Sequence, residues 1–345
     1  MIVRLPAGFG RTVNCNGLRA HAGAWLATAH LLYECVPTLD LAAAAFGGRP
    51  DADVLAVAAD RRADPRDRWL ASVVLGGHGR YAAAAAALRD LRTDPQLASL
   101  AASTTASHAR QLGCHAHARP LDAAALRVAD DPESTVDALL GLAADAIGLG
   151  RPAEARRLHG AAVARSGHVP WRVTVRIDWV ATEVAMATGR ATDAVAPAER
   201  ALAVARAAGG VRHTVKSTMM LGAVLTAGGT PDGRMRAQGL LTETLTASLT
   251  WGMFSLSWPS ALLLTELAPA QRDRYTKIAS DALTSVYWRS DAAMRRRALG
   301  SPVKIHFPGS AESSTGTTRI VTFRSFLICA SISRDPFQWA SAKPP

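Results

Sequence analysis

Aromatic residues make up only 6% of this 345-residue chain, and β-branched residues are sparse before residue 300. Sheets draw on those side chains for packing, so a large β core is excluded for most of the sequence. Cysteine is scarce: Cys15, Cys35, Cys114 and Cys329 form no CxxC pair and no regular spacing. That excludes a disulfide framework and a zinc knuckle and fits a reducing compartment. No apolar run is long enough to span a membrane, because the stretch from Leu18 to Phe46 is interrupted by Arg19, His21, His30, Glu34 and Pro37. Neither a membrane helix nor a signal peptide is written there, and a cytoplasmic protein is expected. Also missing are a Gly-Lys-Ser/Thr phosphate loop, a His-Glu-x-x-His zinc helix and a Gly-x-Ser-x-Gly nucleophile elbow.

Lysine is nearly absent, at 216, 277, 304 and 343 only, so the net charge of +11 is carried by arginine. A basic balance of that size can mark a polyanion-binding surface. Here the arginines are interspersed with acids such as Asp60, Asp64, Asp67, Glu154 and Glu199, as on a solvated helix face. An Arg-, Ala- and Gly-rich, Lys-poor composition is also what a GC-rich genome writes without selection for binding. Nucleic acid is therefore not the expected partner.

What the chain does have is alanine. Nearly half the residues are apolar (49%), enough for a substantial core, and most of that content before residue 300 is Ala. In residues 189–206, small apolar residues at 194, 195, 198, 201, 202 and 205 make one helical stripe. A stripe of Ala buries its face only by lying very close to another helix. Thr192 or Asp193 is the expected cap, and Pro197 demands a late helix start or a kink.

The same pattern recurs. Glycines that end one helical stretch and open an Ala-rich one stand at Gly79, Gly113, Gly150, Gly189 and Gly229, at separations of 34, 37, 39 and 40 residues. After the first four, Ala follows five residues later, at 84, 118, 155 and 194; after Gly229 a small insertion precedes Ala237. Ahead of the glycines lie helical runs at 68–75, 96–112, 135–149, 171–188 and 211–227. Shorter helices are expected at 18–33, 39–46 and 51–62.

Gly79-Arg80-Tyr81 followed by Ala84, and Ala194-Val195 with Ala198-Glu199-Arg200-Ala201-Leu202, resemble the turn and second helix of the tetratricopeptide repeat, in the Ala-rich form common in actinobacterial proteins. The resemblance covers roughly residues 64–285. It departs from the family in lacking the closing proline and in exceeding the 34-residue spacing in most units. It implies an all-α, right-handed solenoid of antiparallel helical hairpins over 64–300, capped by helices in 18–63 and preceded by an irregular leader over 1–17. Residues 301–345 lose the alanine and contain a strand-like run at 319–329; a disordered or frameshifted tail is expected.

Two motifs tempt a chemical assignment. Val73-Val74-Leu75-Gly76-Gly77-His78-Gly79 reads as an apolar run leading into a Gly-x-Gly turn, the form of a dinucleotide site. That register recurs without the extra glycines and no second strand follows, so no cofactor is expected. His108, Cys114, His115 and His117 cluster, but His115 and His117 point to different helix faces, so surface histidines are expected rather than a metal site. The acids Asp130, Asp131 and Glu133 read as helix-start charges.

What remains is a binding surface. In the tetratricopeptide family the inner groove is lined by first-helix positions. Counting back from each glycine places Arg66, Trp69, Arg110, Asp137, Leu140, Arg176, Trp179, Glu183, Met186, Lys216 and Met219 there. Arginine forks carboxylates and tryptophan supplies packing, so this mixture suits a protein or peptide partner with acidic or carboxylate groups. Trp171 is expected to pack between repeats, and Trp251, Phe254 and Trp258 to form core at the end of the array. The expectation is a non-catalytic, peptide-binding scaffold with no cofactor and no metal. An effector-sensing protein related to the repeat domains of transcriptional activators, and more remotely a nucleotide-cofactor enzyme using Gly76–Gly79, are the alternatives.

Overall fold

The computed structural model describes residues 39–300; the expected leader, the helix at 18–33 and the tail with its strand-like run lie outside them. Among the described residues there are fifteen α-helices and no strand. Two short helices, α1 (Leu41–Phe46) and α2 (Leu55–Ala59), come first. Six longer pairs follow: α3 (Pro65–Gly77) with α4 (Tyr81–Leu91), α5 (Ala98–Arg110) with α6 (His115–Val128), and α7 (Pro132–Gly148) with α8 (Pro152–Val163). Then come α9 (Trp171–Ala187) with α10 (Val195–Ala207), α11 (Val211–Gly228) with α12 (Pro231–Thr250), and α13 (Phe254–Leu267) with α14 (Arg272–Trp288). Helix α15 (Ala292–Leu299) ends the described chain.

The recurring glycines end the first helix of the first five pairs for a reason of backbone geometry. Gly79, Gly113, Gly150, Gly189 and Gly229 all have φ between +70° and +74°. At Gly150 the amide bonds to the Ile147 carbonyl at 2.9 Å and the next amide reaches back to Ala146 at 2.8 Å. This double closure satisfies the orphan carbonyls of the helix end and requires a residue in the left-handed region. Gly79, Gly113 and Gly189 repeat the same pair of bonds, whereas Gly229 hands over to Thr230, whose hydroxyl caps α12 at Gly233 (3.1 Å). The helices α3, α7 and α12 start alike, with Asp64, Asp131 or Thr230 at the cap and a proline next.

The alanine five residues after the glycine is the contact point that follows each of the first four turns. Ala84, Ala118, Ala155 and Ala194 are all completely buried, as is Ala237 after the inserted residues. The position seven residues later is buried too: Leu91, Ala125, Ala162, Ala201 and Thr244. Pro197 is accommodated by a late start. A 3₁₀ turn over Ala191–Ala194 precedes α10, so Pro197 falls in the first helical turn, where its missing amide has no partner to lose. Thr192 and Asp193 lie inside that turn, and no side chain caps the helix. The helix expected at 51–62 shrinks to Leu55–Ala59, since Asp53 and Asp60 turn their carboxylates onto nearby amides.

The first helices pack on one another in chain order, α3 on α5, α5 on α7, and so on to α13, and α13 packs back on α3. The expectation of a solenoid of helical hairpins did not include this return contact. It is made by specific contacts: Ser255 Oγ donates to the Gly77 carbonyl at 2.7 Å, and the Ala82 amide donates to the Arg289 carbonyl at 2.9 Å. Tyr81 shares one apolar cluster with Trp258, Ala282, Leu283 and Val286, so Trp258 is core at the junction of the two ends. Helix α1 touches both α3 and α11, and Val211 donates its amide to the Gly47 carbonyl at 3.1 Å.

Candidate functional site

The six first helices line a partly open cavity of about 220 Å³. Every helix of the closed set contributes: Trp69 and Val73 from α3, His108 and Arg110 from α5, Asp137 and Leu140 from α7, Arg176, Trp179 and Glu183 from α9, Arg212, His213, Lys216 and Met219 from α11, and Ser255 and Pro259 from α13. Phe46 of α1 completes the wall. A small wall residue such as Ala144 leaves room where a larger one would fill it.

The cavity gathers Trp69, Arg110, Asp137, Leu140, Arg176, Trp179, Glu183, Lys216 and Met219 from the expected groove set. Two members stand elsewhere. Met186 is buried in a cluster with Ala185, Leu202, Leu221 and Val224 between neighbouring pairs. Arg66 is an exposed first-turn residue of α3 whose guanidinium lies 5.2 Å from the Trp69 ring centroid. Both stand in the terminal turn of their helix, seven residues from the wall residues Val73 and Trp179.

One part of the wall is aromatic. His213 stacks on Trp179 with ring centroids 5.4 Å apart and 12° between planes, and Trp171 meets its edge at 4.8 Å. Phe46 bridges from His213 (6.0 Å) to Trp69 (5.8 Å). The indole nitrogens are satisfied: Trp69 donates to Thr104 Oγ1 at 3.0 Å and Trp179 to Ser217 Oγ at 2.9 Å, which fixes both ring planes. The Lys216 ammonium lies 4.0 Å from the Trp179 centroid, a cation–π distance. Burial drives the pKa of His213 well down, with Arg212 and Arg172 acting in the same sense, so its imidazole is neutral near pH 7.

The other part is ionic and largely self-satisfied. Arg110 pairs with Asp122 and, at 3.3 Å, with Asp145. Arg172 pairs with Glu133 and, at 3.2 Å, with Asp137, and Arg176 meets the other oxygen of Asp137 at 2.6 Å. Asp131, within the run Asp130, Asp131 and Glu133, caps α7 through Ser134, so the run is a helix start as read from sequence. Burial raises the Asp137 carboxyl, with Arg176 and Arg110 opposing. Glu183 is raised by burial as well, against Lys216 and Arg110, and it faces the cavity with no hydrogen bond or ion pair among the described residues.

No known family, curated protein or solved structure matches this chain. The site is therefore read from its own geometry.

The motifs that tempted a chemical assignment are structural. Val73, Val74 and Leu75 are helical rather than a strand, and Gly76 and Gly77 lie inside α3. Without a strand there is no strand–turn–helix to cradle a pyrophosphate. Those glycines serve close approach: a Cβ on Gly76 would stand 2.1 Å from His108 Nε2. The histidines expected at the surface are not all there. His108 and His115 are buried, His108 stacking on Tyr81 with centroids 5.1 Å apart. Burial lowers His108 to about 3, with Arg212 and Arg110 contributing. Cys114 is also buried, and its thiol is pushed up to about 11, which makes it a poor nucleophile. No helix of the described residues is long and apolar enough to cross a membrane.

Sequence reasoning missed Arg212, His213 and Phe46. A signal for the first two was present: Arg212 is four residues before Lys216 and so shares its helix face. A charged residue in a first turn reads from sequence as solvated, which hid it.

Proposed function

We propose that this chain is a non-catalytic, tetratricopeptide-like helical-repeat protein that senses a compact ligand inside its central cavity. The observation that carries this reading is the return contact of α13 on α3, which turns an inner face into a partly open pocket of about 220 Å³. Ligand pockets run from roughly 300 to 1,000 Å³. A space at or below that range suits a small molecule or a chain terminus better than the extended acidic peptide an open groove would take. An aromatic wall with tied indoles, beside a set of cations, is what fixes the orientation of a compact ligand. The effector-sensing alternative is thus favoured over the peptide scaffold. A cytoplasmic setting remains part of the proposal, since the buried free thiol of Cys114 suits a reducing compartment.

The test is native mass spectrometry of the protein isolated gently from its own cells, alongside the variant Ala144→Trp. The expected result is a noncovalent small molecule on the parent chain that is absent from the variant, whose indole occupies the cavity. Retention of the same molecule by Ala144→Trp, or tight 1:1 binding of extended acidic peptides by both proteins, would overturn the reading.

A further inference from the structure

Among the described residues, Arg212 is the one cavity arginine that meets no carboxylate at ion-pair distance. Arg110, Arg172 and Arg176 each meet a carboxylate, but Arg212 forms no ion pair with any described acid, and its Nε is buried without a hydrogen-bond partner. A half-buried guanidinium whose Nε is unpaired is destabilising, because desolvation is not offset by an opposite charge. Its position makes matters worse. Arg212 sits in the first turn of α11, where the helix dipole disfavours a cation and favours an anion. Burial lowers the guanidinium's pKa, with Tyr81 opposing and Arg176 adding to it, yet an arginine remains charged.

The surroundings are shaped for this residue. A Cβ on Gly77 would stand 3.0 Å from Arg212 Nε, so the glycine gives the guanidinium its room against α3. The next residue, His213, has its Nδ1 buried without a partner and stacks on Trp179. Two adjacent polar groups therefore lack partners beside a flat aromatic wall. A native structure tolerates such a pair where a bound species supplies the missing acceptors.

We infer that the cavity takes a small monocarboxylate on a flat apolar body, its carboxylate held by Arg212 and His213 and its body laid against Phe46. The inference rests on reading the central cavity as the binding site. A single carboxylate matches the charge of the one unanswered arginine, and a forked guanidinium meets both of its oxygens. A phosphate dianion would leave a second charge to be met.

The experiment uses the full chain and Arg212→Met, titrated calorimetrically and by thermal shift with benzoate, with benzamide as the neutral isostere and with inorganic phosphate. Benzoate is expected to bind the parent saturably and at least ten-fold more tightly than benzamide, with phosphate inert. Arg212→Met is expected to bind benzoate about thirty-fold more weakly or worse. The same variant, without ligand, should melt higher than the parent, because an unanswered charge has been replaced by an apolar side chain. A lower melting temperature for Arg212→Met marks Arg212 as structural and overturns the inference. Equal binding of benzoate and benzamide, unchanged in the variant, overturns it while leaving the cavity reading intact. Phosphate binding with benzoate inert overturns the carboxylate assignment, and no binding by any of the three overturns both.

Discussion

Replacing Gly79 by alanine should destabilise the protein more than the same change at Gly150, and the difference measures the closure between the two ends of the chain's helical set. Both glycines have φ +71°, so an alanine meets the same backbone penalty at each, about 1–2 kcal/mol for the left-handed region. At Gly150 the new methyl meets nothing within 4 Å, whereas at Gly79 it would stand 2.6 Å from Val286 Cγ2. Val286 is completely buried and β-branched, so it has no free rotamer to retreat into. Overpacking of that kind adds about 1–3 kcal/mol. Gly150→Ala should therefore lose about 1–2 kcal/mol and Gly79→Ala about 2–5 kcal/mol in urea unfolding. Adding Val286→Ala to Gly79→Ala should recover much of the difference, a coupling that a double-mutant cycle isolates. Equal losses at the two glycines, with no coupling to Val286, would refute the argument, because Gly79 would then have no neighbour from the far end of the chain.

The remaining predictions concern close packing and buried charge. Gly141→Ala in α7 should lose several kcal/mol by urea unfolding, because its methyl would stand 2.4 Å from the Asp122 carboxyl that Arg110 holds, and displacing one member of a buried pair costs about 3–5 kcal/mol. Gly160→Ala in α8 meets nothing within 4 Å and should gain about 0.5–1 kcal/mol. His108 is held near 3 in the fold against about 6.5 in the unfolded chain, so the unfolded state binds the proton first as pH falls. Its contribution is complete above pH 6.5 and is lost on going down toward 3, by about 1.4 kcal/mol per pH unit. Thermal midpoints should fall between pH 7 and 5, less steeply in His108→Asn; a slope unchanged by the substitution would contradict the burial of that imidazole.

The glycine register was legible because only a residue tolerant of positive φ can close these helix ends, which leaves a mark every 34 to 40 residues. The alanine five positions on was legible for a similar reason, since close helix contact admits nothing larger. Ring closure was not legible. It depends on the small rotation between successive pairs, summed over six of them, and on contacts such as Ser255 to Gly77 that lie 178 residues apart. Arg66 and Met186 share a helix face with the wall residues Val73 and Trp179, seven residues away, but stand in the terminal turns of α3 and α9, and a face pattern does not say how far along the axis a cavity reaches. The burial of His108 and His115 escaped notice because their neighbours Gly76 and Gly148, which make room for the rings, belong to other helices. The fit between glycine and imidazole is a tertiary fact with no local period.

The closure itself is tested most directly by cross-linking Ala82→Cys to Arg289→Cys in a chain whose Cys15, Cys35 and Cys329 are replaced by serine. The Ala82 amide donates to the Arg289 carbonyl at 2.9 Å, so the two Cα atoms lie within about 6 Å, and a short bismaleimide spans the thiols. A closed set of helices predicts rapid, intramolecular cross-linking of the monomer that is abolished in urea. A double variant that stays uncross-linked while folded, or joins only between molecules, would contradict it.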